Sequence, residues 1–141
     1  MRIFGVICAL GLLVAMPREV AAQNAQISDK ADTAIGAATA FSVGYGVWLW
    51  EKKCRKLPAD EFAAYEAAVT GQMQRLSAML DLSLFQAILG TGQDTAKDTD
   101  ATPSCSAEDA LDFAKFGVEM IKDSGEKIAT LPADYHLTIT N

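Results

Sequence analysis

The sequence predicts an all-α protein, a small bundle of three or four helices that is closed by one disulfide. Half of the residues are hydrophobic, which is enough to form a folded core. Apolar residues recur at steps of three and four over long stretches, as on one face of a helix. Two cysteines, Cys54 and Cys105, stand far apart in the region that carries this pattern. Together these features favour a single helical domain with one covalent cross-link.

Residues 1–22 have the organisation of a secretory signal peptide. A basic start is followed by an apolar run over 3–16, which is too short to cross a hydrocarbon core of ~30 Å comfortably. Pro17 ends the run, and the small residues up to Ala22 suit a signal peptidase. We expect cleavage after Ala22, which leaves 23–141 as one exported, periplasmic domain with no transmembrane segment. An uncleaved N-terminal anchor is the alternative.

The charge of the chain disfavours nucleic acid as a partner. There are 12 basic and 18 acidic residues, a net charge of −6, whereas affinity for phosphate backbones comes mainly from clustered Lys and Arg. Cleavage after Ala22 removes Arg2, Arg18 and Glu19, which leaves 10 basic and 17 acidic residues and a net charge of −7. An acidic surface would complement a basic enzyme and steer association with it, so we expect another exported protein as the partner.

Cys54 and Cys105 remain after cleavage, and we expect them to form a disulfide in an oxidising compartment. The bond would close a loop of 52 residues and stabilise the fold by ~4 kcal/mol on the chain-entropy account. A redox-active thiol or a metal ligand is the alternative, but the mature sequence has no C-x-x-C pair.

The first helix is predicted over 28–57, with Ser28 as its cap. Its apolar face carries Ile35, Ala38, Phe41, Tyr45, Trp48 and Leu49. Gly36, Ala40 and Gly44 form a column of small residues at four-residue spacing. We expect this column to mark a close crossing with another helix.

The second helix begins after Pro58, because proline and acidic residues are favoured in a first turn. Its apolar positions are Phe62, Tyr65, Val69, Met73, Leu76 and Leu80. Asp81 then breaks the pattern, and a shorter helix is predicted over 82–89, with one continuous long helix as the alternative. Four segments place Cys54 and Cys105 at the same end of the bundle, so we favour four.

Residues 90–104 are predicted to be a flexible loop, rich in Gly and Asp. They lack the alternating ligand pattern of a calcium loop, so no metal is expected there. The last helix is predicted to begin at Ser106, with Asp109 completing an approximate capping box, and to end near Ala129. The tail over 133–141 is predicted to be a short strand or a docked extended arm.

The sequence offers no catalytic, cofactor-binding or metal-binding set, so we expect a non-enzymatic protein without a cofactor. His136 is the single histidine and has no nucleophile motif to serve. Carboxylates such as Glu51 and Glu61 are placed on polar helix faces, and their spacing does not indicate a glycosidase pair.

The candidate partner-binding site is the basic and aromatic end of the first helix. It consists of Trp48, Trp50, Lys52, Lys53, Arg55 and Lys56. A carboxylate-rich partner could dock there beside the two tryptophans. The competing explanation is structural, because cations near a helix C-terminus are favoured by the macrodipole at ~0.3–1 kcal/mol each.

Two functions fit an exported, acidic, disulfide-locked helical domain. Its general plan, with two distant cysteines, resembles periplasmic immunity proteins of type VI amidase effectors, which implies inhibition of a secreted cell-wall-degrading enzyme. The spacing of Cys54 and Cys105, with an amphipathic helix after each, is similar to the acid-activated chaperones of the enterobacterial periplasm over about half of the mature chain. That resemblance implies a role in acid stress or envelope homeostasis. We favour the protein binder, and a homodimer is the alternative assembly.

Overall fold

A computed structural model describes residues 18–138, with side chains from Asp29 onward. This part of the chain is all-helical, as the sequence predicts, with four helices: α1 (Arg18–Cys54), α2 (Ala59–Met79), α3 (Leu82–Lys97) and α4 (Ala110–Ala129). The chain divides into two compact units between Ala31 and Asp32, and the packing below is that of the second unit. Residues 1–17, which hold most of the expected signal peptide, lie outside the described residues, so cleavage after Ala22 stays a prediction.

Helix α1 differs from its predicted bounds at both ends. It begins before Ser28, which therefore is not its cap, and it ends at Cys54 instead of residue 57. Arg55 has a φ of 53°, the left-handed conformation that commonly ends a helix. The Glu51 carboxylate accepts a hydrogen bond of 2.7 Å from the Leu57 backbone N–H, and this contact closes the turn.

The break between α2 and α3 confirms four helices over three. Leu80 adopts an extended conformation, with a φ of −111° and a ψ of 150°, and α3 starts two residues later. The predicted loop over 90–104 is wrong for its first half, because α3 continues to Lys97. Gly92 is buried where the backbones of α3 and α1 meet, and a β-carbon there would lie 2.9 Å from the Ser42 carbonyl oxygen. Tertiary packing therefore holds a glycine-rich segment in a helix.

Helix α4 begins at Ala110, four residues later than predicted, and its end at Ala129 is confirmed. The predicted capping box does not form. The Ser106 hydroxyl lies 3.0 Å from the Ser104 hydroxyl, and Asp109, at the N-cap position, makes no capping hydrogen bond through its side chain. The segment 98–109 thus forms the connection between α3 and α4.

The column of small residues on α1 faces α4, which confirms the predicted close crossing. A β-carbon at Gly44 would lie 2.6 Å from the side chain of Ile121, and one at Gly36 would lie 3.4 Å from that of Lys127. The Tyr65 hydroxyl of α2 reaches the same crossing and donates a hydrogen bond of 2.5 Å to the Gly44 carbonyl. Three helices therefore meet around Gly44.

The predicted disulfide between Cys54 and Cys105 is present, with 5.1 Å between the two Cα atoms. It joins the end of α1 to the segment that precedes α4. The Trp50 indole N–H supports the same connection by donating a hydrogen bond of 3.0 Å to the Pro103 carbonyl. Among residues 18–138, no helix is both long enough and apolar enough to span a membrane.

The C-terminal tail begins with a turn over 132–135, and the residues that follow dock on the end of α2 as a short arm as far as Thr138. The Leu137 backbone N–H donates a hydrogen bond of 2.8 Å to the Met79 carbonyl, and Leu137 forms a single parallel β-bridge with Leu80. Residues 139–141 of the predicted tail lie outside the described residues.

Candidate protein-docking groove

An open groove of about 540 Å³ lies between the C-terminal ends of α1 and α3. We call it the lysine groove. It is lined by Leu49, Lys52, Lys53, Gln93, Ala96 and Lys97. Leu49 and Ala96 supply an apolar floor, and the three lysines bring positive charge to the groove. Such a surface suits a segment that carries both carboxylates and small apolar groups.

The three lysines line one groove because α1 and α3 both end there. Lys52 and Lys53 occupy the last turn of α1, and Lys97 occupies the last turn of α3. Each position is favoured by the negative end of a helix dipole. Lys97 is not among the predicted site residues, because the sequence predicts a loop over 90–104. A lysine placed just before Asp98 was the available signal that a helix ends there.

The lysines of the lysine groove form no ion pair within the described residues. Between residues 29 and 138, ion pairs join Lys127 to Asp123 and His136 to Asp81, and Lys52, Lys53 and Lys97 form none. The Lys52 ammonium instead lies 4.5 Å from the ring centroid of Trp48, a cation–π contact.

The two tryptophans of the predicted site have different environments. Trp48 is half-buried, stacks on Tyr45 at 5.8 Å between ring centroids, and borders the lysine groove through Lys52. Trp50 is only 4% exposed and packs edge-on against Phe113 of α4, with 5.0 Å between centroids. Trp50 therefore belongs to the core and is not available to a partner.

Arg55 and Lys56 do not line the lysine groove. The Arg55 guanidinium lies 5.8 Å from the ring centroid of Phe62 on α2, and Lys56 is half-buried in the turn after α1. Of the six predicted residues, Lys52 and Lys53 thus line the groove and Trp48 contacts one of them.

The expectation that Glu51 lies on a polar face is wrong. Glu51 is fully buried, and Trp50 and Leu57 near it are also buried. One carboxylate oxygen accepts the Leu57 N–H bond, and the other has no hydrogen-bond partner among the described residues. Burial, together with the charge of Glu51, raises the pKa of the Tyr65 hydroxyl far above its ordinary value. The Glu51 carboxylate therefore has a structural role, because its hydrogen bond joins the end of α1 to the turn that follows.

The described residues contain no group of three or more His, Cys, Asp or Glu side chains that could hold a metal ion. His136, the single histidine, lies with its Nε2 atom 3.0 Å from a carboxylate oxygen of Asp81, at the junction of α2 and α3. The chain matches no protein-family model, no curated protein and no solved structure.

Proposed function

We propose that this chain is a non-enzymatic, exported protein-binding module that captures an acidic segment of another exported protein in the lysine groove. The observation that carries the proposal is that Lys52, Lys53 and Lys97 converge on one open groove without an ion pair in the described residues, in a chain of net charge −6. An immunity protein that neutralises a secreted cell-wall-degrading effector is the specific form that we favour.

Charge and rigidity both support this function. The three lysines give the groove a local positive charge on an otherwise acidic protein, so a carboxylate is favoured in the groove over the rest of the surface. The disulfide at Cys54 anchors the end of α1 close to Lys52 and Lys53. Because the helices that carry the groove are already ordered, the conformational entropy lost when a partner binds is mainly that of the side chains.

Native mass spectrometry of the tagged protein, recovered from the periplasm of its own host, tests the class of function. We expect a mature chain that begins at Gln23, a mass lower by two hydrogens for the disulfide, and one additional protein at fixed stoichiometry. Recovery of a monomer alone, or of a homodimer, would contradict a constitutive heteromeric complex.

A charge-reversal pair then tests the site with the purified partner. Lys52→Glu with Lys53→Glu replaces two attractive contacts by repulsive ones. Exposed ion pairs contribute ~0.2–1 kcal/mol each, so reversal of two charges is expected to weaken binding by about tenfold. Lys115→Glu with Lys122→Glu is the matched control, because both lysines are exposed on α4 and lie outside the groove. The site is refuted if isothermal titration calorimetry gives equal losses for both pairs, or no loss for the first.

A further inference from the structure

We propose that residues 132–138 form a clasp on α2 that protonated His136 tightens, and that loss of this proton loosens the segment and uncovers more of an apolar groove between α1 and α3. The proposal is independent of the lysine groove. It rests on the contacts of His136, on the docking of Leu137 and on the position of Leu137 in the wall of that groove.

Both ring nitrogens of His136 face hydrogen-bond acceptors. Nδ1 lies 3.3 Å from the Ala78 carbonyl oxygen, and Nε2 lies 3.0 Å from a carboxylate oxygen of Asp81. A neutral imidazole has one N–H donor and can satisfy one of the two acceptors, whereas the imidazolium has two donors and satisfies both. The contact geometry therefore favours the charged form of the ring, which is about half exposed to solvent.

Asp81 is the charged group that acts on His136. It belongs to the junction of α2 and α3, whereas Arg75 of α2 donates its hydrogen bond of 2.6 Å to the Pro132 carbonyl at the other end of the segment. Asp134 and Tyr135 precede His136 on the segment itself. The hydrogen bond to Asp81, and then the bond to Ala78, raise the pKa of His136 above its ordinary value.

The direction of the pH effect follows from this shift. A histidine whose pKa is raised by folding stabilises its contacts fully below its unfolded-state pKa of ~6.5, and the contribution is lost as the pH rises through the folded-state value. The clasp is therefore closed in mildly acidic solution and weakened in alkaline solution. This direction is opposite to that of a chaperone that exposes its apolar surface in acid.

Release of the clasp exposes apolar surface. Leu137 is only 5% exposed and lines a groove of about 250 Å³ with Ile35, Ala38, Leu84 and Ile88. Beneath the segment, Met79 is fully buried and Leu80 is 2% exposed. When Leu137 detaches, the groove loses part of its wall, and the Met79 carbonyl loses the N–H donor that it has in the closed state.

Two measurements on the mature, disulfide-bonded protein test the clasp. Since the chain has one histidine, NMR titration of its ring reports the pKa directly, and we expect a value above ~6.5. The protection factor of the Leu137 amide, taken as the exchange rate relative to an unstructured chain at the same pH, is expected to fall severalfold between about pH 5.5 and about pH 8.5. Fluorescence of the apolar dye anilinonaphthalene sulfonate should rise over the same range.

Variants separate the clasp from general effects of pH. His136→Gln and Asp81→Asn are expected to give a low Leu137 protection factor at both pH values, with protection inside α2 and α4 retained. Asp134→Asn is the matched control on the same segment and should behave as the wild type. The proposal is overturned if the wild-type protection of Leu137 does not change with pH, or if His136→Gln retains the acidic value.

Discussion

Replacement of Gly44 by alanine tests the close crossing of α1 and α4 quantitatively. Alanine favours a helix interior by ~1 kcal/mol over glycine. At Gly44, however, the new methyl group would lie 2.6 Å from two carbons of the Ile121 side chain and 3.1 Å from its backbone nitrogen. Backbone cannot move aside as a side chain can, so we expect overpacking to cost about 1–3 kcal/mol.

Gly71→Ala is the matched control. Gly71 is an interior residue of α2, and a β-carbon there has nothing within 4 Å. This variant should gain the ~1 kcal/mol of helix propensity without a clash. Because both changes are glycine to alanine inside a helix, the difference between the two variants isolates the clash. Gly44→Ala should therefore be less stable than Gly71→Ala by about 1–3 kcal/mol.

Urea unfolding followed by far-UV circular dichroism, with the disulfide intact, measures both variants. Adding Ile121→Ala removes the two contacting carbons, and the double variant should be more stable than the sum of the two single effects predicts. Equal stabilisation by Gly44→Ala and Gly71→Ala, or strict additivity with Ile121→Ala, would refute the crossing at this position.

Two further predictions concern stability. Reduction of the Cys54–Cys105 bond should lower the free energy of unfolding by ~4 kcal/mol. Urea unfolding with and without reductant measures this change. An unchanged urea midpoint would show that the bond does not constrain the unfolded chain. Tyr65→Phe removes the hydrogen bond to Gly44 and should cost ~1 kcal/mol near neutral pH. Burial raises the pKa of Tyr65, so its contribution to stability is present below the unfolded-state pKa of ~10 and is lost at higher pH. The difference in stability between wild type and Tyr65→Phe should therefore shrink at high pH. A difference independent of pH would contradict this.

Helix α2 shows what periodicity predicts well. Its apolar positions recur without a glycine-rich interruption, and the buried Tyr65, Val69 and Leu76 are residues that the pattern places on the core face. Side chains on one face of a helix are set by local geometry, so their burial can be inferred without knowing the partner helix.

Helix α3 shows where this reasoning fails. Its second half carries two glycines and three threonine or aspartate residues, which locally favour a loop. Gly92 has no side chain, so α3 can pack closely against α1 at this position, and this packing keeps the segment helical. At the same contact, the Ser42 hydroxyl donates a hydrogen bond of 2.9 Å to the Ile88 carbonyl. The length of α3 therefore depends on its packing against α1, which is distant in sequence. The position of Lys97 in the lysine groove depends on the same packing.

The sequence by itself determined the helical class, the break after α2, the disulfide and the small-residue crossing at Gly44. The helical class, the break and the crossing follow from the local spacing of residues. The disulfide follows from two cysteines that an arrangement of four helices brings to the same end of the bundle. Tertiary structure alone decided that Trp50 and Glu51 are buried, that Lys97 joins Lys52 and Lys53, and that His136 meets Asp81. The physical reason is that burial and charge pairing depend on which helix faces which, and residues such as His136 and Asp81 are 55 positions apart in the chain.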